Sequence, residues 1–314
     1  MQFRRLGDAG IKFSVVGLGG WTTFGDSITA ESDVREIILA AYEAGVNFFD
    51  SADAYARGES ERIMGRALAE LPRDNLVISS KLFWPMSSDV NDRGLSRKHI
   101  MQSIDGTLKR LGTDYLDVYF CHRYDPETPL EETVRAMDDL VHQGKILYWG
   151  TSEWTAAQIA EAVGLARAHN LYAPKAEQPG YNLVRRRRVE SEIIPAVRQH
   201  GIGLTVFSPL ASGVLTGKYD DGVPAGSRAA RNQGLRDTLT EERLAAVRAL
   251  KGIADDLGVT RAQLALAWVL RNAEVTSVIT GATRAEQVAG NVRASDITLT
   301  QAQLDEIDAL FPAL

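Results

Sequence analysis

Three successive apolar runs in this chain each stop at an ionisable side chain. They are Val46-Asn47-Phe48-Phe49-Asp50, Leu76-Val77-Ile78-Ser79-Ser80-Lys81, and the run over residues 115–122 that ends in Cys121-His122. Each reads as a buried strand, and a candidate helix follows each. Strands that alternate with helices pack as a parallel sheet, and in such sheets the site forms beyond the carboxyl ends of the strands. The pattern therefore predicts a fold and a place for chemistry together.

The remaining segments extend the alternation. Before the first strand, 2–5 and 11–13 flank Asp8-Ala9-Gly10, a hairpin signal. Further strands are expected at 15–18, 146–149, 173–177, 204–207 and 275–280, with helices near 130–142, 155–168, 189–200, 240–257, 261–271 and 284–292. Ser96 can cap a helix striped by Ile100, Ile104, Leu108 and Leu111 and closed by Gly112. Eight strand–helix units in a chain of 314 residues favour a closed (β/α)8 TIM barrel with an N-terminal β-hairpin and extra helices. No proline- or glycine-rich linker interrupts it, so residues 1–314 read as one domain. The longest irregular stretch, 217–235, carries Arg228, Arg231 and nearby Lys218, which suits a lid over an anion.

Composition narrows the function. A hydrophobic content of 45% can fill a large core. No apolar run reaches membrane-spanning length, and the first residues carry charge without the apolar stretch of a secretory signal. Cys121 is the single cysteine, which suits a reducing, cytoplasmic setting. A net charge of −6 gives no general reason to bind nucleic acid or an anionic membrane. The one basic run, Arg185 through Arg188, reads as a solvated first helical turn.

Asp50, Tyr55, Lys81 and His122 form a candidate proton-transfer unit. Tyrosine has a pKa of about 10, and a neighbouring ammonium favours its anion. Asp50 can orient Lys81, and His122 can place a substrate oxygen. Cys121 should face away from His122, because adjacent strand residues point to opposite sides. Gly17-Leu18-Gly19-Gly20 lacks the following helix of a dinucleotide loop. The scattered histidines show no metal-ligand spacing. After the last strand, Gly281-Ala282-Thr283-Arg284 opens a helix suited to a phosphate, with Lys218 and Arg228 adding charge.

Phe49-Asp50-Ser51-Ala52-Asp53-Ala54-Tyr55 with Gly58, Ser60 and Glu61, then Lys81, then His122-Arg123, resembles the aldo-keto reductase superfamily. Lys81-Leu82-Phe83-Trp84, the segment 93–100 and Tyr148-Trp149-Gly150-Thr151-Ser152 are similar to the branch containing voltage-gated potassium-channel β subunits and their microbial relatives. The resemblance implies NADPH-dependent reduction of an aldehyde or ketone, a small-molecule carbonyl substrate, with Tyr55 as acid tuned by Lys81 and Asp50 and with His122 orienting the carbonyl. It implies that Gly20, Trp21, Asp50, Ser152 and Gln178 line the nicotinamide end. Phe207, Ser208, Pro209, Leu210, Ala211, Ser212 and Lys218 would hold the pyrophosphate. Arg228, Gly281, Ala282, Thr283, Arg284, Gln287 and Asn291 would hold the adenosine portion, with Thr283, Arg284 and Gln287 nearest a 2′-phosphate. Trp21, Tyr55, Trp84 and His122 would form the substrate pocket.

This chain keeps His122 where the channel subunits carry asparagine, and has Ala56 where many family members have glycine. Glu153, Gly226 and Gly290 replace an arginine, a tyrosine and a glutamate of the channel branch. Two rival readings stand beside the reductase: an NADPH-binding regulatory protein like the channel β subunits, and a barrel isomerase for a phosphorylated sugar. Self-association is compatible with the sequence.

Overall fold

Both faces of the barrel strands are buried, so the alternating direction of their side chains decides which enter the barrel and which meet the helices. In the computed structural model, which describes residues 1–313, the hairpin strands are β1 (Phe3–Arg5) and β2 (Lys12–Ser14). Strands β3 (Val16–Gly19), β4 (Phe48–Asp50), β5 (Val77–Leu82), β6 (Leu116–Cys121), β7 (Ile146–Ser152), β8 (Ala176–Gln178), β9 (Gly203–Val206) and β10 (Val275–Thr280) follow. All eight pair in parallel, and β10 pairs with both β9 and β3 to close the barrel. The expected (β/α)8 architecture with its hairpin is therefore observed.

The two faces of the wall have separate cores. Phe48, Val77, Val118, Phe120, Ala176 and Ile279 pack inside with Leu6 and Phe13 of the hairpin, which plugs the amino end of the barrel. Phe13 and Phe48 meet at 4.7 Å between ring centroids. Phe49, Ile78, Tyr119, Cys121 and Trp149 belong to the outer core, under the helices. Inward parity thus carries Phe48 on to Asp50, Val77 on to Lys81, and Phe120 on to His122, while Cys121 points away as the alternation requires. In β3 the inward positions are Gly17 and Gly19. A Cβ there would lie 2.5 Å from the Phe48 ring and 2.5 Å from the Ile279 side chain. These glycines make room inside the barrel, which is the physical content of the glycine-rich run.

Several boundaries moved. The expected strand at 173–177 begins only at Ala176, and the strand at 204–207 spans Gly203–Val206. The helix at 189–200 opens with a π-helical turn, Val189–Ile193, before continuing as Ile194–His200. The stretch 217–235 is not wholly irregular. Two short helices, Arg228–Arg231 and Gln233–Asp237, are capped by the side chains of Ser227 and Asn232. Helices this short give no readable apolar period.

The basic run is likewise more than a solvated turn. Arg186 is 8% exposed and pairs with Glu190 at 2.9 Å and Asp308 at 2.6 Å. Arg185 pairs with Glu153 at 2.5 Å, and Arg188 donates to the Trp154 carbonyl at 2.5 Å. The run fastens the strand end after β7 to the helical layer. Among the described residues, no helix is long and apolar enough to cross a membrane.

Two positions give tests of this packing. Gly65 lies in the helix Glu59–Leu68, where an added Cβ would sit against the Leu111 backbone, 2.7 Å from its Cα. Alanine usually favours a helix by about 1 kcal/mol over glycine. Overpacking against rigid backbone should outweigh that, so Gly65→Ala is expected to destabilise the fold by roughly 1–3 kcal/mol in denaturant unfolding. Glu177 is the second. It points outward from β8, fully buried, with Oε2 accepting from Thr151 at 2.5 Å and Oε1 without a partner. Burial first, then Glu153, pushes its carboxyl up to about 8, against the pull of Thr151 and Arg188. The folded chain keeps this proton where the unfolded chain has released it, so the contribution to stability falls as pH rises from the ordinary glutamate range to about 8. Glu177→Gln should therefore gain melting temperature relative to wild type on going from pH 5 to pH 8; an unchanging difference would refute the assignment.

Candidate active site

The carboxyl ends of β4, β5 and β6 bring the four expected polar side chains together. Lys81 is completely buried, and its ammonium donates to Asp50 Oδ2 at 2.6 Å, to the Ser51 carbonyl at 2.7 Å and to the Tyr55 hydroxyl at 3.1 Å. All three ammonium donors are thus used. Asp50 is satisfied from the other side, where Oδ1 accepts from Ser79 at 2.7 Å and from Gln178 at 3.1 Å. His122 stands edge-on to Tyr55 with ring centroids 5.8 Å apart.

Burial acts most strongly on Lys81 and lowers its pKa, but Asp50 and Tyr55 more than offset it. The ammonium therefore stays charged. Tyr55 is half-buried, with its hydroxyl against Lys81. Here burial also leads, pushing the hydroxyl pKa up; Lys81 and Arg123 oppose it and Asp50 reinforces it. The acidifying pull expected from Lys81 is present, yet burial outweighs it, so the net shift runs opposite to the simple expectation. The phenol holds its proton at neutral pH. His122 is lowered well below its usual range by burial, then by Lys81 and Arg123, and is a neutral imidazole.

Tyr55 is held over Lys81 by an unusual backbone turn. Ala56, Arg57 and Gly58 have φ of 47°, 55° and 85° in succession. Left-handed geometry costs a non-glycine residue about 1–2 kcal/mol, so Ala56 and Arg57 are strained. The surrounding contacts must over-determine the turn. Asp53 donates its amide to the Lys81 carbonyl at 3.1 Å, and its carboxylate accepts from Ser103 at 3.1 Å, which in turn accepts from Tyr119 at 3.0 Å. Burial and then Glu61 push the Asp53 carboxyl up to about 7. Glu61 itself bridges Ser80 and Arg110, each at 2.5 Å. Sequence reasoning assigned no role to Asp53, Ser79 or Ser103; the acidic residue two before Tyr55 was the available signal.

Two cavities share Trp21, Tyr55 and Phe207. The smaller, about 290 Å³, is lined by Trp21, Ala54, Tyr55, Trp84, His122, Arg123, Ser152, Gln178 and Phe207. It contains the whole expected substrate pocket. The larger, about 850 Å³, runs from Asp50 and Tyr55 past the segment after β9 to the loop after β10. Of the residues expected to hold a dinucleotide, it takes in Trp21, Asp50, Phe207, Ser208, Pro209, Leu210, Ser212, Lys218, Arg228, Gly281, Thr283, Gln287 and Asn291. Ser152 and Gln178 face the smaller cavity. Gly20, Ala211, Ala282 and Arg284 line neither: Gly20 is packed against Ser60, Ala282 is buried, and Arg284 is exposed at the helix start. Arg231, expected with Arg228 in the anion lid, lines the groove too, and Thr22, Thr23, Asp26, Gly213, Asn232 and Gln263 join it without having been singled out.

The groove suits a phosphorylated ligand. Ser208, Ala211, Ser212 and Gly213 all have positive φ, the turn geometry from which anion-binding nests are built, with the Ala211 and Gly213 amides closing turns on the Ser208 and Leu210 carbonyls. A Cβ on Gly213 would come within 2.5 Å of the Lys218 ammonium, so the glycine lets the cation reach the nest. The Arg228 guanidinium lies 4.6 Å over the Trp21 ring, tying the segment 217–235 to the loop after β3. At the far end, Gln287 accepts from the Thr283 amide at 2.7 Å, which fixes the loop leading into the helix Ala285–Val292.

Comparison with known proteins gives the family of the chain. Residues 15–311 match the model of the Aldo/keto reductase family. The chain is 49% identical over 317 residues to a "Probable voltage-gated potassium channel subunit beta" of Arabidopsis thaliana, covering 98% of this chain and 96% of that one. It is 48% identical to a protein of the same description in Oryza sativa subsp. japonica, over 99% of this chain and 96% of that one. A "Putative voltage-gated potassium channel subunit beta" of Schizosaccharomyces pombe is 42% identical, over 99% and 93% respectively. The chain therefore belongs to the aldo/keto reductase family, a family of nicotinamide-dependent oxidoreductases.

Proposed function

We propose that this protein is an NADPH-dependent carbonyl reductase in which Tyr55 is the general acid. The observation that carries the reading is the Tyr55 hydroxyl, 3.1 Å from the Lys81 ammonium, at the junction of an aromatic pocket and a cationic groove. The groove's donors fit a dinucleotide: the nest at 208–213 with Lys218 for the pyrophosphate, and Arg228, Thr283, Gln287 and Asn291 for the adenosine portion. Bound there, the reduced nicotinamide supplies the hydride.

The chain's own residues manage the proton and the orientation. Neutral His122 can donate a hydrogen bond to the carbonyl oxygen and so fix its direction. Tyr55 gives its proton to that oxygen as negative charge develops on it. Lys81 stabilises the tyrosinate that remains, and Asp50 keeps Lys81 charged and aimed. Trp21, Trp84 and Phe207 exclude water and offer apolar faces to the substrate.

The relatives' names favour a second reading, a regulatory subunit that binds the cofactor with little turnover. His122, which completes the proton-transfer group, supports the enzyme instead. The protein would then reduce small carbonyl compounds, with association to a channel as the lesser reading.

Two measurements test the proposal. Tyr55→Phe should lower kcat for a reactive aromatic aldehyde by roughly 10²–10⁴-fold, the usual scale of general acid catalysis, while NADPH binding by tryptophan quenching stays within a few-fold. Turnover at the wild-type rate would remove Tyr55 as the acid. A fluorescence titration should also show NADPH binding about tenfold or more tighter than NADH, since a charge-assisted hydrogen bond to the extra phosphate contributes about 1.5 kcal/mol. Equal affinities would shift the assignment to NADH.

A further inference from the structure

The smaller cavity holds one charged group that the proton-transfer unit does not use. Arg123 follows His122 in the loop after β6 and lines the pocket. Its guanidinium stands 5.7 Å from the centroid of the Trp84 ring and donates to the His122 carbonyl. Both contacts fix it beside the reacting group. Neither neutralises it.

Among the described residues, no carboxylate lies within ion-pair distance of Arg123. By contrast, partly buried Arg110 is matched by Glu61 at 2.5 Å and fully buried Lys81 by Asp50 at 2.6 Å. The acid nearest Arg123 in sequence is Asp125, and the fold commits it elsewhere. Its Oδ2 accepts from the Leu95 amide at 2.7 Å and from Thr128 at 2.8 Å, and its Oδ1 accepts from the Glu127 amide at 3.0 Å. No acidic side chain lines this cavity. A guanidinium without a counterion in a partly desolvated pocket favours an anion from solution, and its planar fork matches a carboxylate.

We propose that Arg123 forms a carboxylate subsite, so that the preferred substrates are carbonyl compounds that also carry a carboxylate. The inference rests on the reductase reading and narrows it to oxo acids. The carboxylate is unchanged in the reaction: the carbonyl carbon takes a hydride from the reduced nicotinamide, and the carbonyl oxygen takes the Tyr55 proton. Trp84 holds the guanidinium plane, and the carboxylate in turn orients the carbonyl toward Tyr55 and His122.

The test compares kcat/KM of the full-length protein with NADPH for 4-formylbenzoate and for its methyl ester, in wild type and in Arg123→Gln. Wild type should favour the acid over the ester by a ratio about tenfold larger than the variant does, the scale of one charge-assisted hydrogen bond. Damage to His122 positioning would lower both substrates alike and leave the ratio unmoved. A ratio that is the same in both proteins overturns the subsite. The 2- and 3-formyl isomers vary the distance between the groups, and raising salt should weaken the acid's advantage. If the variant fails to fold, wild type alone decides: no isomer favoured over its ester at low salt overturns the proposal. If neither acid nor ester is reduced, the reductase reading falls, and calorimetric titration with benzoate and benzamide still decides the subsite. Benzoate binding about tenfold tighter than benzamide supports it, and equal binding overturns it.

Discussion

A lysine ammonium that stays charged inside a barrel is the constraint on which the site is built. Removing an ammonium from water costs several kcal/mol even after relaxation, and only close, well-aimed partners offset that cost. Lys81 has them in Asp50, Ser51 and Tyr55, and Asp50 is held in turn by Ser79 and Gln178. These partners come from β4, β5, β8 and the loop after β4. The pair is thus satisfied only when the barrel has closed, and the cluster of Asp50, Tyr55 and Lys81 is a product of closure. Its net charge is balanced, so the Tyr55 phenol sees an ammonium whose field a carboxylate has already tempered. That explains why burial, and not Lys81, sets the direction of the Tyr55 shift.

Strain and support are paired around the same residue. Ala56 and Arg57 occupy left-handed geometry that glycine would adopt freely. The chain keeps alanine, and the buried links among Asp53, Ser103, Tyr119, Glu61 and Arg110 hold the turn from behind. Tyr55 is therefore fixed in position before any ligand arrives. Pre-organisation of this kind lowers the cost of aligning a proton donor with its acceptor. The segment 217–235 is held differently. Of its short helices only Ala229 is buried, Arg228 reaches across to Trp21, and Asp220 pairs with Arg261 at 2.6 Å.

Much of the barrel could be read from period and parity. Side chains alternate between two buried faces of each strand, and the apolar runs ended at Asp50, Lys81 and His122, in phase with inward Phe48, Val77 and Phe120. The same parity excluded Cys121. Glycine positions misled only in appearance: Gly17 and Gly19 face Phe48 and Ile279. What the pattern hid were features without a period. The capped turns at Ser227 and Asn232 are too short to show one, and Arg186 looked solvated because its partner Asp308 lies on the last helix, far along the chain.

The sequence by itself determined the alternation of strands and helices, the phase of each strand, and hence the ring of polar groups at the carboxyl ends. These are local properties, written in spacings of two and of three or four residues. Tertiary structure alone decided which charges are matched. Closure brings Val278 beside Val16, and folding spends Asp125 on Leu95 and Thr128, so Arg123 faces the pocket without a counterion. Electrostatic pairing depends on distances between residues far apart along the chain, and no local spacing encodes them.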